Sequence, residues 1–425
     1  MTSEVALMNL HGVALGADSM VTLGRRRGGR VSQPVARKIS IVSAKAPVAA
    51  MTNDNALFVG VPWTLVLERF GVHCGETPLP FDEYRDRLVT FLADFDALSG
   101  MEGRDGHELD SFNEYIFGFV IDYWRKAAQL SRDFEVEFGE GLASAALGQL
   151  RHDVLFIAPD ADDAGAEASE PIARDAIAPT PRLMSFVAEH LPDALENALG
   201  YVFQGVEVPE AIVPALAELA SQSILVEWIP EFSSDSQLIL AGFGAGAITP
   251  SLLAMDIAGA FAGRLKYAIT DRVDAGAGQR MFIKTFAQAQ LGTAMLSGAR
   301  PTFEALAMRE CRDEVLDLVF KALSAARLSE KVANALARDI LFDSQAALQR
   351  GMDRAKAHHN AHFRAQFDPL LHTADAATLA AFARKMVEVT VLEHELLRAD
   401  SVGRPIRVVT LTRDGVRTDI DGETQ

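Results

Sequence analysis

Thr2, Asp18 and Lys38 are the residues of this chain whose types could carry a reaction. The chain opens MTSEVALMNLHGVALGADSMVTLG. Removal of Met1 leaves Thr2 with a hydroxyl and a free α-amino group, a nucleophile and a base on one residue. A threonine hydroxyl is a poor nucleophile at neutral pH and needs a base within hydrogen-bond reach. The α-amine, with an unperturbed pKa of about 8, can serve directly or through a water. A neighbouring lysine ammonium lowers that pKa and favours the neutral amine. A carboxylate then keeps the lysine charged and fixed. Lys38 and Asp18 have the right types for these two roles. Taken alone Thr2 is a weak signal, and Asp18, Lys38 and the framing strands turn the balance toward a catalytic nucleophile. A small residue after Met1 is common, and Asp18 with Lys38 also reads as a plain ion pair at a strand end.

The elements around these residues must bring them together. Ser3–Asn9 is a short, apolar strand pattern, Asn9–Gly12 supplies turn chemistry, and Val13–Ala17 returns to Asp18. Arg25–Gln33 (RRRGGRVSQ) reads as a basic, glycine-rich loop. Lys38–Ser43 and Pro47–Met51 read as a second strand pair, which sets Asp18 and Lys38 at the edges of adjacent strands. Pro62 opens a helix that Gly71 closes. From Phe81 to about Pro230 the apolar spacing is helical, broken by an acidic, alanine-rich stretch, Asp160–Pro181, that reads as a mobile loop. Strands resume at Ser236–Gly242, Pro250–Ile257 and Arg264–Thr270. Gln279–Leu397 reads as helical, with breaks near Gly298 and His372. Two strands close the chain, Ile406–Thr412 and Gly415–Ile420, joined at Arg413-Asp414. Strands at both ends and in the middle place the termini in one core, an α+β layered architecture rather than a βαβ array. No internal repeat is visible.

These residues resemble a known family. TSEVALMNLHGVALGADSMVT is similar to the opening of a proteasome β-type subunit of the N-terminal nucleophile (Ntn) hydrolases. Thr2 falls on that family's nucleophile, Asp18 (in GADS) on its aspartate and Lys38 (in ARKIS) on its lysine. KISIVSAKAPVAAMTNDNALFVGVPW resembles the strand pair and first helix of a subgroup of bacterial proteasome-like proteins. QLILAGFGAGAITPSLLAMDIAG resembles the family's central strands, FAQAQLGTAMLSG the start of a core helix, and SVGRPIRVVTLTRDGV the closing strand pair. About 200 residues match in order, scattered from end to end.

The resemblance implies a four-layer αββα sandwich decorated by long helical insertions. The Ntn core would fall in 1–80, 236–300 and 398–425. A helical insertion would fill 81–235, and insertion or core helices 301–397. It also implies threonine-type hydrolysis of a peptide or amide substrate in a homo-oligomer, without metal or organic cofactor. Several positions depart from the family. Asp54 stands where a glycine usually offers its N–H to the oxyanion, and a carboxylate there repels developing negative charge unless it points away. Asp400 and Ser401 fall only loosely on a supporting Asp/Ser pair. Gly403-Arg404-Pro405 replaces Gly-Gly-Pro, and the Asp18–Lys38 loop is longer than usual. Two other readings therefore stand beside the peptidase: a silent proteasome-like scaffold that binds a protein partner through its insertions, and a small-molecule amidase or acylase.

Composition narrows the rest. The chain has 425 residues, 49% of them hydrophobic, and a formal net charge of −18. That apolar content supports a packed core, and the acidity argues against a nucleic-acid surface. Cys74 and Cys311 cannot build a disulfide framework, and no basic-then-apolar leader is visible, which points to the reducing cytoplasm. Gln237–Met255 is uncharged and near spanning length, but its glycines and Pro250 fit two strands and a turn better than a membrane helix. The run Gly242–Gly246 has Ala247 at the third glycine position and a strand after it, so a dinucleotide fingerprint does not fit. His358, His359 and His362 include an i, i+4 pair, yet no Cys completes a metal site, and a solvated face fits better. Arg25–Arg30 reads as a solvated loop in a strongly acidic chain.

Overall fold

A computed structural model describes residues 3–24, 30–34, 37–94, 107–134, 137–157, 172–231, 233, 236–276, 281–287, 294, 301–325, 350–352, 354–355, 357–358, 361, 368–397 and 402–421. The fold is mixed α+β, and its paired strands are antiparallel. The strands are β1 (Ser3–Asn9), β2 (Val13–Asp18), β3 (Met20–Gly24), β4 (Arg30–Pro34), β5 (Ile39–Ser43), β6 (Val48–Asp54), β7 (Leu57–Phe58) and β8 (Val61–Pro62). They continue with β9 (Phe156–Ile157), β10 (Ile172–Ala173), β11 (Ser236–Gly242), β12 (Ser251–Phe261), β13 (Arg264–Asp274), β14 (Met281–Ala287), β15 (Ile406–Thr412) and β16 (Gly415–Ile420). Two five-stranded sheets dominate, ordered β14-β1-β2-β15-β16 and β13-β12-β11-β6-β5.

Alternation along each strand decides how the sheets pack. Ala6 and Met8 of β1, Leu15 of β2 and Val409 of β15 share one buried cluster with Met51 of β6, Ile239 of β11 and Ala254 of β12. The intervening residues, Val5, Leu7, Ala14 and Val408, turn the other way. They pack on Leu379, Ala383, Met386 and Val387 of α8 (Ala376–Leu396). Gly16 permits that approach, because a Cβ there would lie 3.4 Å from the Cβ of Ala383. The outer face of the second sheet is covered by α1 (Trp63–Cys74) and α2 (Phe81–Ala93), whose Val66, Phe70, Tyr84 and Leu88 cluster with Leu238, Leu240, Leu253 and Met255. The Trp63 indole N–H donates to Ser236 Oγ at 2.9 Å and fixes α1 to β11.

A separate apolar cluster holds α3 (His107–Phe134), α4 (Glu140–Leu155), α5 (Pro181–Val202) and α6 (Val213–Leu225). It reaches the sheets through Ala258, Phe261 and Ala262. Segment 81–235 thus divides: α2 belongs to the layer that covers the second sheet, and α3–α6 form their own packed unit. Helix α7 (Pro301–Ala325) follows the strands.

Several sequence expectations need correction. Residues 281–287 are strand, not helix, and pair with all of β1. Arg30–Gln33 is strand within a β3–β4 hairpin rather than loop. Gly71 does not close α1. The helix runs to Cys74, and Gly75 (φ +70°) ends it, in the left-handed conformation glycine adopts freely. Gly71 instead sits where α1 meets β5, and a Cβ there would come within 3.3 Å of the Val42 carbonyl.

The Gly242–Gly246 run joins β11 to β12. Its glycines serve chain packing: a Cβ on Gly242 would lie 2.0 Å from the Pro47 carbonyl, and one on Gly244 2.2 Å from the Phe81 nitrogen. Gln237–Met255 is accordingly two strands and a turn, and among the described residues no helix is long and apolar enough to cross a membrane.

Candidate active site

Every residue of β1 and β2 is buried, so a charge placed there must find a partner. At the end of this strand pair three buried charges meet. Asp18 Oδ1 accepts from the Ser3 amide at 2.9 Å and from Lys38 Nζ at 2.5 Å. Asp18 Oδ2 accepts from the amides of Met20 and Gly403, both at 3.1 Å. Lys38 Nζ also lies 3.2 Å from Glu4 Oε1. Lys38 is 6% exposed, and the side chains of Glu4 and Asp18 are wholly covered.

Four segments supply this constellation. β1 brings Ser3 and Glu4, and β2 ends on Asp18. Lys38 enters β5, where its carbonyl accepts from the Thr52 amide at 3.0 Å. The chain before β15 brings Gly403. Ser19 Oγ donates to the Pro405 carbonyl at 2.6 Å and ties that chain to the end of β2. Gly403 is tightly placed, since a Cβ on it would lie 3.0 Å from Met20 Cγ. Arg404 is drawn to Asp421 at 2.6 Å, so the arginine in Gly403-Arg404-Pro405 has a partner of its own.

The structure thus brings Asp18 and Lys38 together. Thr2, Asp400 and Ser401 lie outside the described residues, as do His359 and His362; His358 is exposed. Asp54 ends β6 opposite Ser236 with φ +68°, a left-handed backbone that favours glycine. The residue as a whole is exposed, while its carboxyl lies against the protein. Its carboxyl is pushed above the usual carboxylate range, first by lost hydration and then by Asp256. Among the described residues no three His, Cys, Asp or Glu side chains converge as metal ligands.

The sequence reading missed Glu4. Its signal was present: a carboxylate inside a strand whose neighbours Val5, Ala6, Leu7 and Met8 fill both faces is a charge without water, and must meet a cation.

No family model, curated protein or solved structure matches this chain.

Proposed function

We propose that the chain is an N-terminal threonine hydrolase that cleaves amide bonds, with a peptide as the substrate class. The observation that carries this reading is the Ser3 amide and the Lys38 ammonium on one oxygen of Asp18. Ser3 directly follows Thr2 in the sequence, so an amide one residue from the proposed nucleophile is held by the ion pair. The glycine-like backbone of Asp54 supports its place as an oxyanion donor through N–H. The order of packing, α8, sheet, sheet, then α1 with α2, supports the αββα sandwich of Ntn hydrolases.

In this scheme Thr2 Oγ attacks the carbonyl carbon as its proton passes to the Thr2 α-amine. The ammonium so formed protonates the leaving nitrogen, and the C–N bond breaks to leave an ester on Thr2. Water, deprotonated by the same amine, then releases the acid. Lys38 acts on the amine by its charge and Asp18 holds Lys38. No cofactor takes part.

A second reading has its own observation. Two carboxylates share Lys38, and their joint negative field raises the pKa of a nearby amine, which favours a silent scaffold. Intact mass after treatment with a β-lactone or epoxyketone separates the two. The hydrolase gives loss of Met1 and one adduct that disappears in Thr2→Ala. Retained Met1, or Met1 lost with no adduct, sinks the hydrolase and leaves the scaffold.

A further inference from the structure

The space between the sheets carries a second set of polar groups that the hydrolytic scheme does not use. Register fixes their side. Asn53 lies opposite Gln237, and Gln237 opposite Asp256. Each is two residues along its strand from a residue of the inter-sheet core, Met51, Ile239 and Ala254. Alternation therefore turns all three toward the first sheet. Asp271 is opposite Ala254, and Lys284 of the first sheet is opposite Ala6, so both enter the same space.

These groups are linked in an order that leaves one acceptor over. Gln237 Nε2 donates to Asp256 Oδ1 at 2.5 Å, because a carboxylate can only accept. Gln237 therefore presents Oε1 to Asn53, whose Nδ2 donates at 3.0 Å. Asn53 Oδ1 remains. Asn53 is 3% exposed and this oxygen meets no donor. A buried acceptor in that state favours any ligand that brings an N–H.

The charge of the row agrees. Asp54 follows Asn53 and is within electrostatic reach of Asp256, which is in turn within reach of Asp271. Lost hydration is the first cause that pushes both Asp54 and Asp256 upward, and a carboxylate neighbour adds to it in each. Lys284, 2.5 Å from Asp271, also lies within electrostatic reach of Asp256. The carboxylates are strung along the row and do not converge as a metal site does, which suits a long organic cation.

We propose that this row receives the amino or guanidino group of a basic substrate, so that the amides cleaved are those of lysine- or arginine-like residues. The cleavage rests on the hydrolase reading above; the cation site does not. Calorimetric titration of full-length Thr2→Ala at low salt, with arginine amide against the neutral citrulline amide, tests it. Arginine amide should bind about tenfold more tightly, the size of one charge-assisted hydrogen bond. Asp256→Asn should remove that preference. Lys284→Met should strengthen it, a gain that a misfolded variant cannot produce. Equal binding of the two amides, or Asp256→Asn and Lys284→Met moving the preference in the same direction, overturns the site. β-Lactone labelling of the wild type reports separately. Labelling without a cation preference leaves the hydrolase and sinks this site, and a preference without labelling does the reverse.

Discussion

Lys38 and Lys266 are both buried, at 6% and 1% exposure, and the chain uses them in opposite ways. Lys38 lies between two carboxylates, Asp18 at 2.5 Å and Glu4 at 3.2 Å. Lys266, on β13, donates to the carbonyls of Ser223 and Val226 at 2.5 and 2.6 Å, with its ammonium 5.4 Å from the centre of the Tyr115 ring. Its pKa is lowered well below the usual lysine value, chiefly by lost hydration and then by Arg264 and Arg174. The first lysine joins chain segments into a charged constellation with Glu4, Asp18 and the Ser3 amide. The second closes the C-terminal carbonyls of α6 and docks the α3–α6 unit on the sheet. Burial of a lysine is therefore no sign of a site. Its partners are.

The largest test of this contrast is Lys38→Met. It leaves Asp18 and Glu4 buried together without a cation, and breaking a buried pair in this way costs about 3–5 kcal/mol. Thermal unfolding should show a clear loss of stability. If Lys38 also tunes the Thr2 amine, β-lactone acylation should slow on the order of 100-fold, the lower range for acid–base assistance. Full acylation in a folded Lys38→Met protein would reduce Lys38 to a structural residue like Lys266.

Glu4→Gln sharpens the same side of the comparison. It removes one negative charge from the constellation and leaves the Asp18–Lys38 pair intact. Less negative field lowers the amine pKa, so the acid limb of the acylation rate should move to lower pH by about half a unit to one unit. A limb that stays in place would show that Glu4 is too well screened to reach the amine.

Asp256→Asn acts through a raised carboxyl pKa, and the sign is definite. The unfolded group has a pKa near 3.8 and the folded one lies higher. Relative stability from this carboxyl is fully present below 3.8 and is lost as pH rises through the folded value. The asparagine does not titrate. The variant should therefore melt higher than wild type by about a degree or two at neutral pH, with the gap closing as pH falls toward 4. A gap that widens on acidification would mean that the aspartate is stabilised as the anion.

How much of this was legible in the sequence differs between the regions. β11, β15 and β16 keep their expected bounds because turn residues bracket them, and in β11 and β15 both faces are largely buried. Asp18 and Lys38 were found by type and by resemblance. Glu4 was overlooked because EVALM reads as a strand whatever its first residue does. β14 was misread because Phe282 and Phe286 are four apart, a helical spacing, while their burial on one face of a strand follows equally from a period of two. Only its partner β1, far away in sequence, decides between them. The β3–β4 hairpin was hidden in the same way by RRRGG. Asn53, Gln237 and Asp256 come from three separated strands, and no local pattern could announce their row.

Lys266→Met carries the smallest expected effect and completes the contrast. The change removes two hydrogen bonds and takes this donor from the Ser223 carbonyl, while the Val226 carbonyl keeps the Trp228 amide, a loss of about 1–3 kcal/mol. It also removes an amine whose burial disfavours its charged form, which works in the opposite direction. The net change in stability should therefore be smaller than for Lys38→Met, although Lys266 is the more deeply buried of the two. Acylation of Thr2 should stay within about twofold of wild type, since Lys266 shares no partner with the Asp18–Lys38 pair. Parallel unfolding curves and β-lactone rates for the two methionine variants would measure this. Equal losses of acylation would show that the helical unit and the charged end of the sandwich act as one, and would remove the distinction between a lysine that serves a site and a lysine that caps a helix.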